Sequence, residues 1–133
     1  PPQPAPAPAP TPGTAARTAA VDRVREDGSR AFEKTMTDLA RRANELDASW
    51  PRFKSVCYGG PIVGSFDREW FALLDPRAMP GPMGCRSSYD DLQRRAEEIR
   101  RGVVAADEAA RQADVYPGVR RDVRQRLRLD LVR

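Results

Sequence analysis

Histidine is absent from all 133 residues. That absence removes Ser-His-Asp and Cys-His nucleophile pairs, the commonest general base, and most zinc and haem sites. Lysine is scarce too: Lys34 and Lys54 stand against 21 arginines. The only two cysteines, Cys57 and Cys85, lack CxxC spacing, which makes a poor redox motif and a weak metal site. No run of about eighteen apolar residues occurs, so no segment reads as a membrane span. No glycine loop has the GxxxxGK[ST] or GxGxxG form, and YGGPIVGS reads as a turn-rich loop. The acidic pairs Asp67/Glu69 and Asp90/Asp91 have nothing to separate their environments, so they read as solvated helix starts rather than a catalytic dyad. The expectation is a non-enzymatic protein, and nothing in the sequence implies a cofactor.

What is present is polar and charged. Charged residues make up 32% of the chain and the mean hydropathy is −0.66, values that suit long helices with one buried stripe. A GC-rich genome accounts for the arginine preference more simply than nucleic-acid binding does. The net charge of +4 is localised: residues 1–119 balance 17 basic against 17 acidic side chains, so the excess lies in residues 120–133, where six arginines face Asp122 and Asp130.

The opening PPQPAPAPAPTPG carries no charge and no apolar period, and it reads as a semi-rigid polyproline spacer. A start on proline suits a processed chain, which raises the expectation of a bacterial periplasmic or secreted product whose signal peptide has been removed. Residues 1–17 are expected to form this arm and residues 18–133 a helical domain.

The strongest signal is periodic. Phe32, Met36, Leu39, Ala43, Leu46, Trp50, Phe53 and Cys57 follow in alternating steps of four and three. Tyr89, Leu92, Ala96, Ile99, Val103, Ala106, Ala110 and Ala113 do the same. Such heptad seams belong to helices packed at a shallow angle. The spacing predicts an all-α fold: an antiparallel, coiled-coil-like hairpin of helices over about 18–57 and 87–114, with a short third helix over about 118–130. Aligning the two seams end to end puts Phe32 by Ala113, Leu39 by Ala106, Trp50 by Ala96 and Cys57 by Tyr89, with large side chains facing small ones at most levels. Ser87 and Ser88 precede Asp90 and Asp91 in a pattern like a capping box. Gly28 and Ser29 weaken the first helix, and Pro51 is expected to sit within a continuous helix because the heptad phase runs through it unchanged.

Residues 58–86 form an insert at the hairpin tip, with Gly and Pro at both ends around SFDREWFALLD. Its Phe66, Trp70, Leu73 and Leu74 share a helical face that is expected to cover the hairpin end, with Trp70 and Phe71 as candidate partner contacts if that face is exposed. After the Pro117–Gly118 turn, Val119, Val123, Leu127 and Leu131 form a stripe opposite Arg120, Arg121, Arg124 and Arg128. Those arginines are candidates for binding an acidic protein. Phosphate backbones are disfavoured because no aromatic side chain lies among them to stack on bases.

The leading expectation is an exported protein–protein interaction module or accessory subunit, docking through its arm, insert tip or Arg-rich C-terminus. The alternative is a cytosolic nucleic-acid binder. Heptad seams also pair between chains, so a homodimeric bundle stays open.

Cys57 ends the first seam and Cys85 lies just before the second, at the same end of an antiparallel hairpin. A structural disulfide there closes the insert and belongs to an oxidising compartment. The chain-entropy model gives it about 3.6 kcal/mol. Thiol titration of unreduced, denatured protein is expected to find no free thiol, and two after reduction. Two free thiols before reduction would remove both the clasp and the exported assignment.

Overall fold

The two seams become the two long helices of a computed structural model that describes residues 3–4, 12–57, 68–71 and 84–130. Helix α1 spans Pro12–Cys57, α2 spans Gly84–Gln112 and α3 spans Pro117–Arg126, with one 3-10 turn at Glu69–Phe71. No strand occurs among the described residues. A disulfide joins Cys57 to Cys85 with Cα atoms 5.6 Å apart, so the ends of α1 and α2 meet and the hairpin is antiparallel.

Helix α1 starts six residues before the expected Thr18. Proline suits the first helical position because its missing N–H would have no partner there. Ala15, Ala16, Ala19 and Ala20 then favour propagation from a helix that is already nucleated. At Pro51 the helix continues, as the heptad phase implies. The Ser49 hydroxyl does not cap a new helix. It donates back to the Leu46 carbonyl at 3.1 Å, one turn before the proline.

All sixteen predicted seam residues are buried or packed against the core. Their register is not the one expected. Cys57 bonds to Cys85 rather than facing Tyr89, and Ala113 lies against Gly28 rather than Phe32. The slide is four residues at both ends. Each seam therefore has a ninth position, Gly28 on α1 and Cys85 on α2, which a search for large apolar residues does not collect.

The glycine is required by proximity. A Cβ at Gly28 would sit 2.6 Å from the Ala113 Cβ and 3.2 Å from a Val115 methyl. Helix propensity disfavours glycine here, but backbone approach prevails. Gly102 plays a related part, since a Cβ there would lie 2.7 Å from a Leu39 methyl.

Helix α2 ends in a Schellman turn. Asp114 takes a left-handed φ of 59°, Val115 N–H donates to Ala110 O at 2.9 Å and Asp114 N–H to Arg111 O at 3.0 Å. The same turn closes α3: Arg128 has φ 55°, and Leu129 N–H donates to Arg124 O at 2.8 Å. In each case the next residue, Val115 or Leu129, is buried and holds the turn against the hairpin. Within the expected α3 stripe Val123 is buried and Leu127 packs on the core, whereas Val119 is exposed. Leu131 lies outside the described residues, and Leu129 supplies the anchor instead.

The two covering elements lie on one side. Glu33, Ala40, Asp47 and Lys54 flank the α1 seam seven residues apart, and antiparallel pairing places them beside Gln93, Arg100 and Asp107 of α2. This side meets α3 through Arg126–Glu33 and Arg120–Asp107, and the 3-10 turn through Lys54–Glu69. On the other side Thr35, Arg42, Ser49 and Val56 are all exposed.

The two glycines are expected to respond differently to alanine in urea unfolding. Gly28→Ala meets a Cβ fixed to backbone and is expected to lose about 1–3 kcal/mol. Gly102→Ala meets only the rotatable end of Leu39, and the helix propensity it gains offsets most of the cost, leaving it within about 1 kcal/mol of the parent. The opposite order would overturn the close-approach account.

Candidate interaction surfaces

The 3-10 turn does not cap the hairpin tip as the sequence implies. It lies along the covered face, bonded to α1 as far back as Asn44 and Asp47. Its backbone is entered through Arg68 in a left-handed conformation, φ 55°. The Arg68 side chain is buried and donates to Asn44 Oδ1 at 2.9 Å, with its Nε 3.4 Å from Asp47 Oδ2. Trp70 Nε1 donates to Asp47 Oδ1 at 2.7 Å, and Arg128 approaches Asp47 Oδ2 at 3.5 Å. One carboxylate thus joins α1, the 3-10 turn and the end of α3.

Trp70 and Phe71, the candidate partner contacts of the insert, are 1% and 8% exposed. They are core residues in this chain and present no free surface to a partner. The Trp70 indole is apolar over its body and polar at one N–H, so a helix face offering both a seam and an acid suits it. Arg100 lies over the Phe71 ring at 5.7 Å and covers it from the α2 side. Phe66, Leu73 and Leu74 of the same stretch lie outside the described residues.

Beside Trp70, Glu69 is buried and accepts hydrogen bonds from Trp50 Nε1 at 2.6 Å and Lys54 Nζ at 2.7 Å. Burial works to raise its pKa, but the hydrogen bond and charge of Lys54 and the Trp50 N–H outweigh it and hold the carboxyl below its ordinary value. Glu69 reads from sequence as one of a solvated pair. Its direct attachment to Trp70 was the available signal: a turn that buries residue 70 carries its neighbours inward.

The C-terminal arginines are only partly free. Arg120 reaches both oxygens of Asp107 at 3.1 Å, Arg126 pairs with Glu33 at 2.8 Å, and Arg128 belongs to the Asp47 junction. Arg124 is half-buried, and Arg121 is exposed with no ion pair among the described residues. Arg120, Arg121, Arg124, Asp107 and Asp130 line a cleft of about 330 Å³ of mixed charge.

On the opposite side the described residues line a larger groove of about 680 Å³ near the disulfide. Its lining includes the core residues Leu46 and Leu92, the partly buried Phe53, and Val56, which is 60% exposed. Arg52, Arg95, Asp91 and three serines form the rim. No group of three His, Cys, Asp or Glu side chains converges among the described residues, and no helix there is long and apolar enough to cross a membrane. The chain matches no protein-family model, no curated protein and no solved structure.

The Glu69 cluster has a testable pH signature. A carboxyl whose folded pKa is depressed contributes stability that is present above its unfolded pKa of about 4.3 and is lost as pH falls through the folded value. Glu69→Gln is expected to cost about 1–3 kcal/mol at pH 7, and its urea midpoint is expected to fall less than the parent's on acidification below that range. Parallel pH profiles for the two proteins would refute the role of the ionised carboxylate.

Proposed function

We propose that this chain is an exported, non-enzymatic helical module that binds a protein partner, as an accessory subunit of a larger assembly in a bacterial periplasm or outside the cell. The observation that carries the reading is the unequal treatment of the two hairpin sides. Among the described residues, α3 and the 3-10 turn cover one, while Thr35, Arg42, Ser49 and Val56 on the other are exposed. The disulfide supports an oxidising compartment.

Two further features suit a spacer that holds partners apart. Residues 13–24 of α1 are all exposed, and among the described residues the turn after α2 first meets α1 where Arg25 Nε donates to the Asp114 carbonyl at 2.9 Å. About 18 Å of helix therefore stands clear of its own bundle. Val21 and Val24, 46% and 56% exposed, lie on this stalk. The Pro-Ala arm precedes it in the sequence. The internal pairing of Arg120, Arg126 and Arg128 weighs towards a protein partner rather than a phosphate backbone.

Photo-cross-linkers placed singly at exposed stalk, groove and α3 positions, in protein returned to its native source, are expected to capture one recurring protein. Deleting residues 1–11 is expected to leave the thermal midpoint unchanged while lowering that yield. No specific adduct from any position would remove the interaction reading. Binding to DNA that weakens steeply with salt and is lost in Arg120→Ala/Arg121→Ala/Arg124→Ala would replace it with the nucleic-acid alternative.

A further inference from the structure

The observed register of the hairpin is one of two that its seams allow. Alternating steps of four and three keep seam on seam when one helix slides past the other by a turn. Counting inward from Cys57–Cys85 and from Gly28 beside Ala113, the observed register brings Phe32 level with Ala110, Met36 with Ala106, Ala43 with Ile99 and Leu46 with Ala96. Slid by four residues, Phe32 comes level with Ala113, Met36 with Ala110, Ala43 with Val103 and Trp50 with Ala96. Large side chains meet small ones at most levels in both, so core packing alone separates the two registers poorly.

Two features do separate them, one at each end. The slide moves α2 about 6 Å along α1, towards the Cys57 end. The Cα atoms of Cys57 and Cys85 lie 5.6 Å apart in the observed register. Adding the slide puts them about 8 Å apart, beyond the roughly 7 Å that a disulfide bridges. The bond therefore exists in one register only. At the other end, a Cβ on Gly28 would lie 2.6 Å from the Ala113 Cβ. In the slid register Gly28 is level with Pro117, past the end of α2, and that close approach is relieved. The ion pairs that the slide breaks, Arg126–Glu33 and Arg95–Glu45, are largely solvent-exposed and hold the register weakly. Residues 58–83 connect the two helices, a length of chain many times longer than the slide.

We propose that Cys57–Cys85 is a redox-operated register lock: the reduced chain populates both registers, and the bond selects the observed one. Every chain passes through the reduced state before the bond forms. Closing the lock transfers two electrons and two protons from the thiols to a disulfide-bearing oxidant, which leaves as a dithiol. Helix α3 travels with α2, to which the Schellman turn and the Arg120–Asp107 pair attach it. In the slid register Arg126 is therefore one turn away from Glu33, so the reduced and oxidised chains present the C-terminal arginines differently against α1.

Pulsed electron paramagnetic resonance reads the slide directly. Spin labels on ketone side chains at positions 23 and 104, both exposed, leave the native cysteines untouched. The oxidised full-length protein is expected to give one distance. Reduction with dithiothreitol is expected to add a second population about 5 Å longer, because α2 withdraws from the stalk, with the helical circular-dichroism spectrum retained. Cys57→Ser/Cys85→Ser is expected to show the same two populations without reductant. Gly28→Ala provides the second measurement. It is expected to lower the folding constant of the oxidised protein about fivefold or more, but that of Cys57→Ser/Cys85→Ser less than about twofold, while enlarging the longer-distance population. A single unchanged distance after reduction would overturn the proposal. So would a broad distribution with lost helicity, which is unfolding rather than sliding, or an equal cost of Gly28→Ala in the two backgrounds. All these measurements use the chain alone, so their failure leaves the interaction reading untouched, and a failure to find a native partner leaves the lock untouched.

Discussion

Two helices can share a seam this long only if their register is held, and here one end is held by a covalent bond and the other by a missing side chain. Cys57–Cys85 fixes which turn of α1 lies beside which turn of α2. Some forty ångströms away, by the rise of the helix between Gly28 and Cys57, the bare Cα of Gly28 lets Ala113 approach within van der Waals reach. Every other contact inherits that register. A slip of one turn would carry Asp47 and Lys54 away from the 3-10 turn and Asp107 away from Arg120.

The architecture was legible in the sequence because it rests on periodicity, and sixteen seam positions in alternating steps leave few other folds. The register was not, because it depends on the residues that carry least information of that kind. Gly28 looks like a helix weakener until its neighbour is known, and Cys85 looks like the foot of a loop rather than a seam position. The cysteine pairing was legible from position alone. The placement of Trp70 was not: its burial depends on Asp47, a charged residue on a helix flank that no apolar pattern selects. The arginines were visible as a cluster, but their partners Glu33, Asp47 and Asp107 come from two other helices, and only the antiparallel packing places those acids beside α3.

The two sides of the hairpin show different chemistry built on the same geometry. The sealed side is held by mixed contacts, in which aromatic rings bury their bodies and direct their N–H groups to carboxylates at Asp47 and Glu69. Such polar groups cost free energy when buried and unpaired, so they discriminate between right and wrong docking more strongly than apolar contacts do. The other side, among the described residues, shows Thr35, Arg42, Ser49 and Val56 to solvent and carries no comparable buried polar contacts.

Asp47 links two segments that are distant in the sequence. Arg68 and Trp70 approach it from one and Arg128 from the other, and both arginines sit in left-handed backbone conformations that other contacts must hold in place. Withdrawal of either segment leaves the other with a less satisfied carboxylate and a strained residue to support. The 3-10 turn and the end of α3 are therefore expected to open as one unit, with amide protons that exchange together, while the disulfide-held hairpin beneath them stays closed.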